Sequence, residues 1–246
     1  MNKLIHLEPL GRLMARPMGR VVGFASEDSE GTGVVHAIAT RLLELDRDVW
    51  WIQRDGSDCP FPPTLEPKEM HRAAFDWHDL LNGARWLLTG GRSILGDEEE
   101  FASWSAALTF AELEGTLNAF ILDVPFERFN DVWGVVVPRI RQMHILLLDG
   151  KEIDEIARLE NWPIDSSKEG RIATLERIHR QTLVPHVIGR DIDQGWAADA
   201  HAYGIAEAPS GKADTGTWMG SIMDGLIRAG HVKGAAQEAL DSAKIT

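Results

Sequence analysis

The sequence contains a single cysteine, Cys59, among its 246 residues. One cysteine excludes an internal disulfide framework and a metal site built from several cysteines, so a reducing compartment is expected. Long hydrophobic runs are also missing: no segment reaches the roughly 18 uncharged apolar residues that a membrane-spanning helix needs. Residues 1–18 contain prolines and lack the continuous apolar stretch of a signal peptide. These absences predict a cytoplasmic protein without a transmembrane segment.

Basic residues are scarce relative to acidic ones. Lys and Arg together number 25 against 38 for Asp and Glu, which gives a formal net charge of −13 at pH 7. Because such a surface repels phosphate over most of its area, broad nucleic-acid binding is not expected. No two of the histidines have the spacing of a zinc site, so no metal is assigned.

Short apolar runs alternate with segments of helical apolar spacing along the chain. The runs predict strands at residues 20–25, 48–52, 86–89, 119–123, 145–148 and 185–189. The spacing predicts helices at residues 34–45, 97–113, 132–142, 151–161, 171–183, 219–229 and 235–243. Strands that are apolar on both faces and alternate with helices are typical of an α/β fold with a doubly covered sheet. We therefore expect one α/β domain over residues 1–246, with a mostly parallel sheet covered by helices on both faces.

A glycine-containing loop lies between the first predicted strand and the first predicted helix, where a phosphate-binding P-loop belongs. In a P-loop, backbone N–H groups cradle the phosphates, a lysine reaches the terminal phosphates and a hydroxyl binds Mg²⁺. Gly31 and Gly33 hold glycine positions, but Val34 falls at the lysine position and Val35 and His36 fall at the hydroxyl positions. ATP binding and hydrolysis are therefore expected to be weak or absent. A plain glycine-containing turn between strand and helix is an equal alternative.

The segment at residues 19–55 resembles the opening of the ParA/MinD group of P-loop ATPases, in which a second strand precedes an acidic residue. NAFILDVPFERFNDVW resembles the strand with the Walker-B-like aspartate, and RQMHILLLDGKEIDEIARL resembles the next strand and helix of the TadZ/CpaE pilus-assembly branch. The resemblance implies a P-loop NTPase-like fold with a degenerate Walker A loop and a positioning or scaffolding role with little or no turnover. It implies a weak site for ATP or ADP formed by Gly31, Thr32, Gly33, Val34, Val35, His36, Asp55 and Asp123.

Pairing across the nucleotide site is a common property of ParA/MinD-like proteins. The resemblance therefore implies protein partners, in a homodimer or a hetero-complex. Because the phosphate-binding lysine is missing, we expect this association to be independent of nucleotide. The implied surface lies around residues 31–36 and 123–130.

A second resemblance supports a different class of function. GVVHAIATRLLELDRDVWWIQRDGSD is similar to the early part of a PfkB-type sugar kinase, and KADTGTWMGSIMDGLIRAG is similar to that family's late loop and helix. This resemblance implies the alternative function, phosphorylation of a hydroxyl group on a small molecule. The family's late loop carries an anion hole and an aspartate that takes the hydroxyl proton. No aspartate follows Gly216, so the resemblance implies a kinase or pseudokinase with an altered site.

Overall fold

One sheet of eight strands forms the centre of the part of the chain that the structure, a computed structural model, describes: residues 19–24, 33–56 and 63–244. The strand order is β2-β1-β3-β4-β5-β6-β7-β8. Strands β1 to β6 pair in parallel, whereas β6 with β7 and β7 with β8 pair antiparallel. The strands are β1 Arg20–Phe24, β2 Val49–Ile52, β3 Ala84–Gly90, β4 Leu117–Ile121, β5 Ile145–Asp149, β6 His186–Asp191, β7 Trp196–His201 and β8 Gly204–Pro209.

Helices cover both faces of this sheet, which confirms the predicted mostly parallel α/β fold. Within the described ranges they are α1 Val34–Glu44, α2 Trp77–Leu81, α3 Arg92–Leu95, α4 Glu98–Glu114, α5 Phe129–Val136, α6 Gly150–Leu159, α7 Lys168–Thr182, α8 Thr215–Ala229 and α9 Ala235–Ala243. Helices α1, α8 and α9 pack on one face, and α4 to α7 pack on the other. No helix in these ranges combines the length and the apolar character needed to cross a bilayer.

The hydrophobic core consists of two layers, one on each face of the sheet. Strands β3 and β4 lie inside the sheet and are buried at every position. Successive side chains of a strand point to opposite faces, so Trp86 and Leu88 pack toward α1 and α8 while Leu87 packs toward α4 and α5. This two-sided burial explains why the strands are continuous apolar runs rather than alternating ones.

Helix α8 lies unusually close to α1 because two of its glycines face α1. A Cβ atom at Gly216 would overlap the Ala37 side chain, and one at Gly220 would lie 2.6 Å from Cβ of Arg41. Arg47 at the end of the same helix pair forms a buried ion pair with Asp224. The two helices run side by side in the same direction, which places the start of α8 beside the start of α1.

The last two strands were not predicted from the sequence. β7 is rich in alanine, and both β7 and β8 lack the β-branched and apolar runs that mark the other strands. Their extended conformation depends on pairing with β6, so local propensity gives little indication of it.

Candidate functional site

A cavity of about 600 Å³ opens at the carboxyl edge of the parallel strands. This edge is the usual place for ligands in open α/β sheets. The cavity is bordered by residues at or just after the ends of β4, β5 and β6 and by the first residues of α1, α6 and α8. Its charged lining consists of Asp123, Asp149, Glu152, Asp191, Asp193, Lys151, Arg171 and Arg190. Acidic side chains therefore outnumber basic ones at this edge.

Asp123 closes the amino-terminal end of α1. Its Oδ2 atom accepts a hydrogen bond of 2.8 Å from the backbone N–H of Val34 and lies 3.3 Å from Nε of Arg92. Helix N-termini attract anions because their N–H groups are unpaired and the helix dipole is positive there. In this chain the anion at α1 is the protein's own carboxylate. Phosphate binding at the start of α1 would require Asp123 to move away.

The eight residues of the sequence-based nucleotide site are only partly brought together. Gly31 and Thr32 lie outside the described residues. Gly33 and Val34 contact Asp123, since a Cβ atom at Gly33 would be 2.7 Å from its Oδ2. The remaining three, Val35, His36 and Asp55, do not border the cavity. Their assignment to a nucleotide site stays a prediction.

Val35 and His36 face inward instead. Their exposed fractions are 6% and 7%, and the His36 ring packs edge-on against Trp51 with 5.1 Å between ring centroids. Asp55 lies exposed in the turn after β2. A surface for partners at residues 31–36 would therefore use neither the Val35 nor the His36 side chain.

The start of α6 carries two interacting carboxyl groups. Asp149 caps the helix by accepting from the N–H of Glu152, and the Glu152 carboxylate accepts from the N–H of Asp149. Burial, assisted by the negative charges of Asp149 and Asp123, raises the pKa of Glu152 to about 8. This raised pKa favours the neutral form of Glu152, and that form adds no negative charge to the cavity.

Arg171 links α7 to two neighbouring elements. Its Nε and NH2 groups donate to the two carboxylate oxygens of Asp154 at 3.0 Å and 2.6 Å, and its NH1 group donates to Asp191. The bonded Asp154 carboxylate raises the pKa of Arg171. Two carboxylates thus match the single charge of this guanidinium, so its role in the cavity wall is structural.

Arg190 lies beneath the start of α8. Its Nε donates to the carbonyl of Ser210 at 3.0 Å and its NH2 to the carbonyl of Ala213 at 2.7 Å, which fixes the loop that enters the helix. Its Cζ lies 4.6 Å from the centroid of the Trp218 ring. Only 3% of the residue is exposed, and burial lowers the pKa of its guanidinium. Arg190 is not among the site residues predicted from the sequence, although an arginine inside the buried run HVIGRD was an available signal.

Asp214 is the N-cap residue of α8 and lies directly before its first residue. Its carboxylate accepts from the Thr217 hydroxyl at 2.6 Å and from the Thr217 N–H at 2.9 Å, and these bonds lower the pKa of Asp214. The residue is exposed, and its neighbour Thr215 lines the cavity. The resemblance to PfkB-type kinases implied an aspartate after Gly216, and none is present there. The structure has an ionised aspartate two residues before that glycine, at the helix start.

No family model and no curated protein matches this chain. Its fold is similar to that of a 2-dehydro-3-deoxygluconokinase from Thermotoga maritima, with a TM-score of 0.72, 13% identity, and 92% of this chain and 93% of that chain covered. A PfkB protein from Polaromonas sp. JS666 gives a TM-score of 0.69 at 12% identity, with 92% of this chain and 94% of that chain covered. A fructokinase double mutant from Vibrio cholerae O395, in fructose, ADP and potassium ion bound form, gives a TM-score of 0.68 at 15% identity. The match covers 92% of this chain and 90% of that chain.

These likenesses correct the main sequence-based interpretation. The fold is that of PfkB-type sugar kinases, so the prediction of a ParA/MinD-like P-loop ATPase of the TadZ/CpaE branch is wrong. The predicted role as a degenerate, scaffolding pseudoenzyme is overturned with it. The physical reason is visible at α1, where the Asp123 carboxylate fills the position that the P-loop interpretation gives to phosphate.

Proposed function

We propose that this chain is a PfkB-like kinase that transfers a phosphoryl group from ATP to a hydroxyl group of a small carbohydrate. The observation that carries the proposal is the start of α8, where the ionised Asp214 and the buried Arg190 flank Thr215 at the edge of the cavity. Support comes from the fold, since one similar structure is a fructokinase in fructose and ADP bound form. This is the alternative function that the second sequence resemblance implied.

The start of α8 is the best place for the transferred phosphoryl group. The helix dipole and the N-terminal N–H groups favour negative charge there. The Asp123 carboxylate accepts from Val34 at the start of α1, and Asp214 likewise accepts from Thr217 at the start of α8. The start of α8 differs in having the buried Arg190 guanidinium bonded to the loop that enters it. The start of α6 carries a reciprocal pair of bonds between Asp149 and Glu152.

Asp214 is the proposed acceptor of the hydroxyl proton. A carboxylate in this role must be ionised near neutral pH and must lie next to the phosphoryl site. The bonds from Thr217 favour the ionised form of Asp214, and the adjacent Thr215 borders the cavity. In the proposed step the substrate hydroxyl gives its proton to Asp214, its oxygen bonds to phosphorus, and the bond to ADP breaks. Phosphoryl transfer passes through a loose transition state, so even a weak base suffices.

The acidic lining of the cavity bears on how ATP would bind. The four aspartates of the lining would repel a triphosphate unless a divalent cation screened them. We therefore propose ATP with Mg²⁺ as the phosphoryl donor. Protonated Glu152 adds nothing to the repulsion.

The proposal is tested by measuring ADP release from Mg-ATP with fructose, ribose and 2-dehydro-3-deoxygluconate as acceptors. We expect turnover with at least one acceptor, and a fall in kcat of roughly 100-fold or more for Asp214→Asn. The matched control is Asp76→Asn, since Asp76 is also an exposed capping aspartate, bonded to the N–H of Asp79 at 3.0 Å. It should leave kcat unchanged. No turnover with any acceptor, or full activity of Asp214→Asn, would contradict the proposal.

A further inference from the structure

The basic side chains that line the cavity differ in whether carboxylates or solvent already neutralise or screen their positive charges. Arg171 donates to two carboxylates, those of Asp154 and Asp191. Lys151 is exposed to solvent, where its charge is screened. Arg190 is buried, and its hydrogen bonds within the described residues go to two neutral carbonyl groups, while the Asp214 carboxylate acts on its charge without a hydrogen bond between them. Its NH1 atom is buried and has no hydrogen-bond partner in the described part of the chain.

An unpaired guanidinium nitrogen in a protein interior indicates a missing partner. Buried polar groups are almost always hydrogen-bonded, so an exception needs an explanation, and an absent ion is one of those known. The partner that a guanidinium binds best is an oxyanion, because its planar N–H groups match carboxylate and phosphate oxygens. Arg190 borders the cavity together with Thr215, the first residue of α8.

The position of the Arg190 side chain is fixed before any ligand binds. It lies on the same face of β6 as Ile188, which packs toward α1 and α8. The carbonyls of Ser210 and Ala213 bind two of its nitrogens, and the Trp218 ring stacks against it. Little side-chain entropy remains to be lost on binding, so the group is preorganised.

We propose that Arg190 and the start of α8 together bind one phosphoryl group, with NH1 of Arg190 as the charged donor. The inference rests on the proposed function, in which this group belongs to the nucleotide or to the phosphorylated product. It assigns to Arg190 a direct role in binding. Phosphate binding itself can be measured without turnover, so the two proposals fail separately.

The test is calorimetric titration with inorganic phosphate, ADP and fructose 1-phosphate as separate probes. Loss of one charge-assisted hydrogen bond should weaken binding roughly 10-fold to 100-fold in Arg190→Met. Arg190→Lys keeps the charge and should lose less. The matched control is Arg180→Met, which removes one positive charge from a side chain that is 71% exposed on α7, and its affinities should equal the wild type. If only ADP or only the sugar phosphate responds to Arg190, that response identifies the source of the phosphoryl group.

A second measurement on the wild type keeps the proposal testable if the Arg190 variants do not fold. Phosphate bound between Arg190 and α8 should slow amide hydrogen exchange in residues 210–217, with no comparable change at α1. Equal affinities of Arg190→Met and the wild type, or phosphate that leaves exchange in this segment unchanged, would overturn the inference. Phosphate binding that depends on Arg190 without any kinase turnover would support the inference and contradict the proposed function. Kinase turnover together with an unchanged phosphate affinity of Arg190→Met would support the proposed function and contradict the inference.

Discussion

The Asp123 carboxylate accepts a hydrogen bond of 2.8 Å from the backbone N–H of Val34, 89 residues earlier in the chain. This bond joins the segment after β4 to the first turn of α1. Arg92 adds an ion pair to the same carboxylate and a bond of 3.1 Å to its backbone carbonyl. Three separate elements therefore meet at one side chain, which is only 12% exposed.

We predict that Asp123→Ala lowers the free energy of unfolding by about 1–3 kcal/mol, because α1 loses a capping acceptor and Arg92 loses an ion pair. Urea denaturation monitored by circular dichroism measures the change. The control is Asp131→Ala, whose carboxylate is 62% exposed and pairs with Arg128 on the surface. That variant should lie within about 0.5 kcal/mol of the wild type. Equal effects of the two substitutions would contradict this account of α1.

Gly216 provides a second prediction, about the contact between α1 and α8. Gly216→Ala places a methyl group against Ala37, so we expect a loss of about 1–3 kcal/mol and a shift of the start of α8. Gly134→Ala is the matched control, since Gly134 lies in α5 and a Cβ atom there meets nothing within 4 Å. It should stabilise the protein by about 0.5–1 kcal/mol through helix propensity. Thermal melting of both variants distinguishes the outcomes, and a neutral Gly216→Ala would show that the helices are farther apart.

The parallel part of the sheet could be predicted because each of its strands is a short apolar run next to a helical segment. The candidate site could be predicted only in part. Asp123 was identified as a residue at a strand end, but its bond to Val34 depends on two distant segments meeting. Arg190 acquires its role through carbonyls 20 and 23 residues away, at Ser210 and Ala213. No local pattern encodes such contacts, because they are set by the pairing of β7 and β8 and the return of the chain to α8.

A histidine cluster lies at the opposite, amino edge of the parallel strands. His186 bonds through Nδ1 to Asp199 at 2.7 Å and through Nε2 to His231 at 3.1 Å. Burial lowers the pKa of His231 to about 3, and the neighbouring His186 and Arg85 assist. Burial also lowers the pKa of His144 to about 4.

These pKa values predict a loss of stability in acid. The usual histidine value is 6.5, so below that pH the unfolded chain binds protons that folded His144 and His231 do not. Their contribution is complete above about pH 6.5 and falls by about 1–2 kcal/mol per histidine between pH 7 and pH 5. Urea denaturation at several pH values should show a shallower dependence for His231→Gln. The exposed His71→Gln should keep the wild-type slope, and an unchanged slope in His231→Gln would refute the assignment.

Val35 gives a prediction that separates folding from association. Val35 lies on the buried face of α1 and is 6% exposed. Val35→Glu should therefore lower the free energy of unfolding by about 3 kcal/mol or more. Phe126, which is 52% exposed, lies in the segment of the sequence-based partner surface. Phe126→Glu should leave the melting temperature nearly unchanged, so it is the variant with which light scattering can test the proposed association. A stable Val35→Glu protein would mean that α1 packs differently.

The most direct test of the central claim is a crystal structure of the protein with a non-hydrolysable ATP analogue and Mg²⁺. The account predicts that the terminal phosphate lies at the start of α8, within hydrogen-bond distance of Arg190 and close to Asp214. The bond between Asp123 and Val34 should remain intact in that complex. Phosphate bound instead at the start of α1, with Asp123 displaced from Val34, would contradict the account.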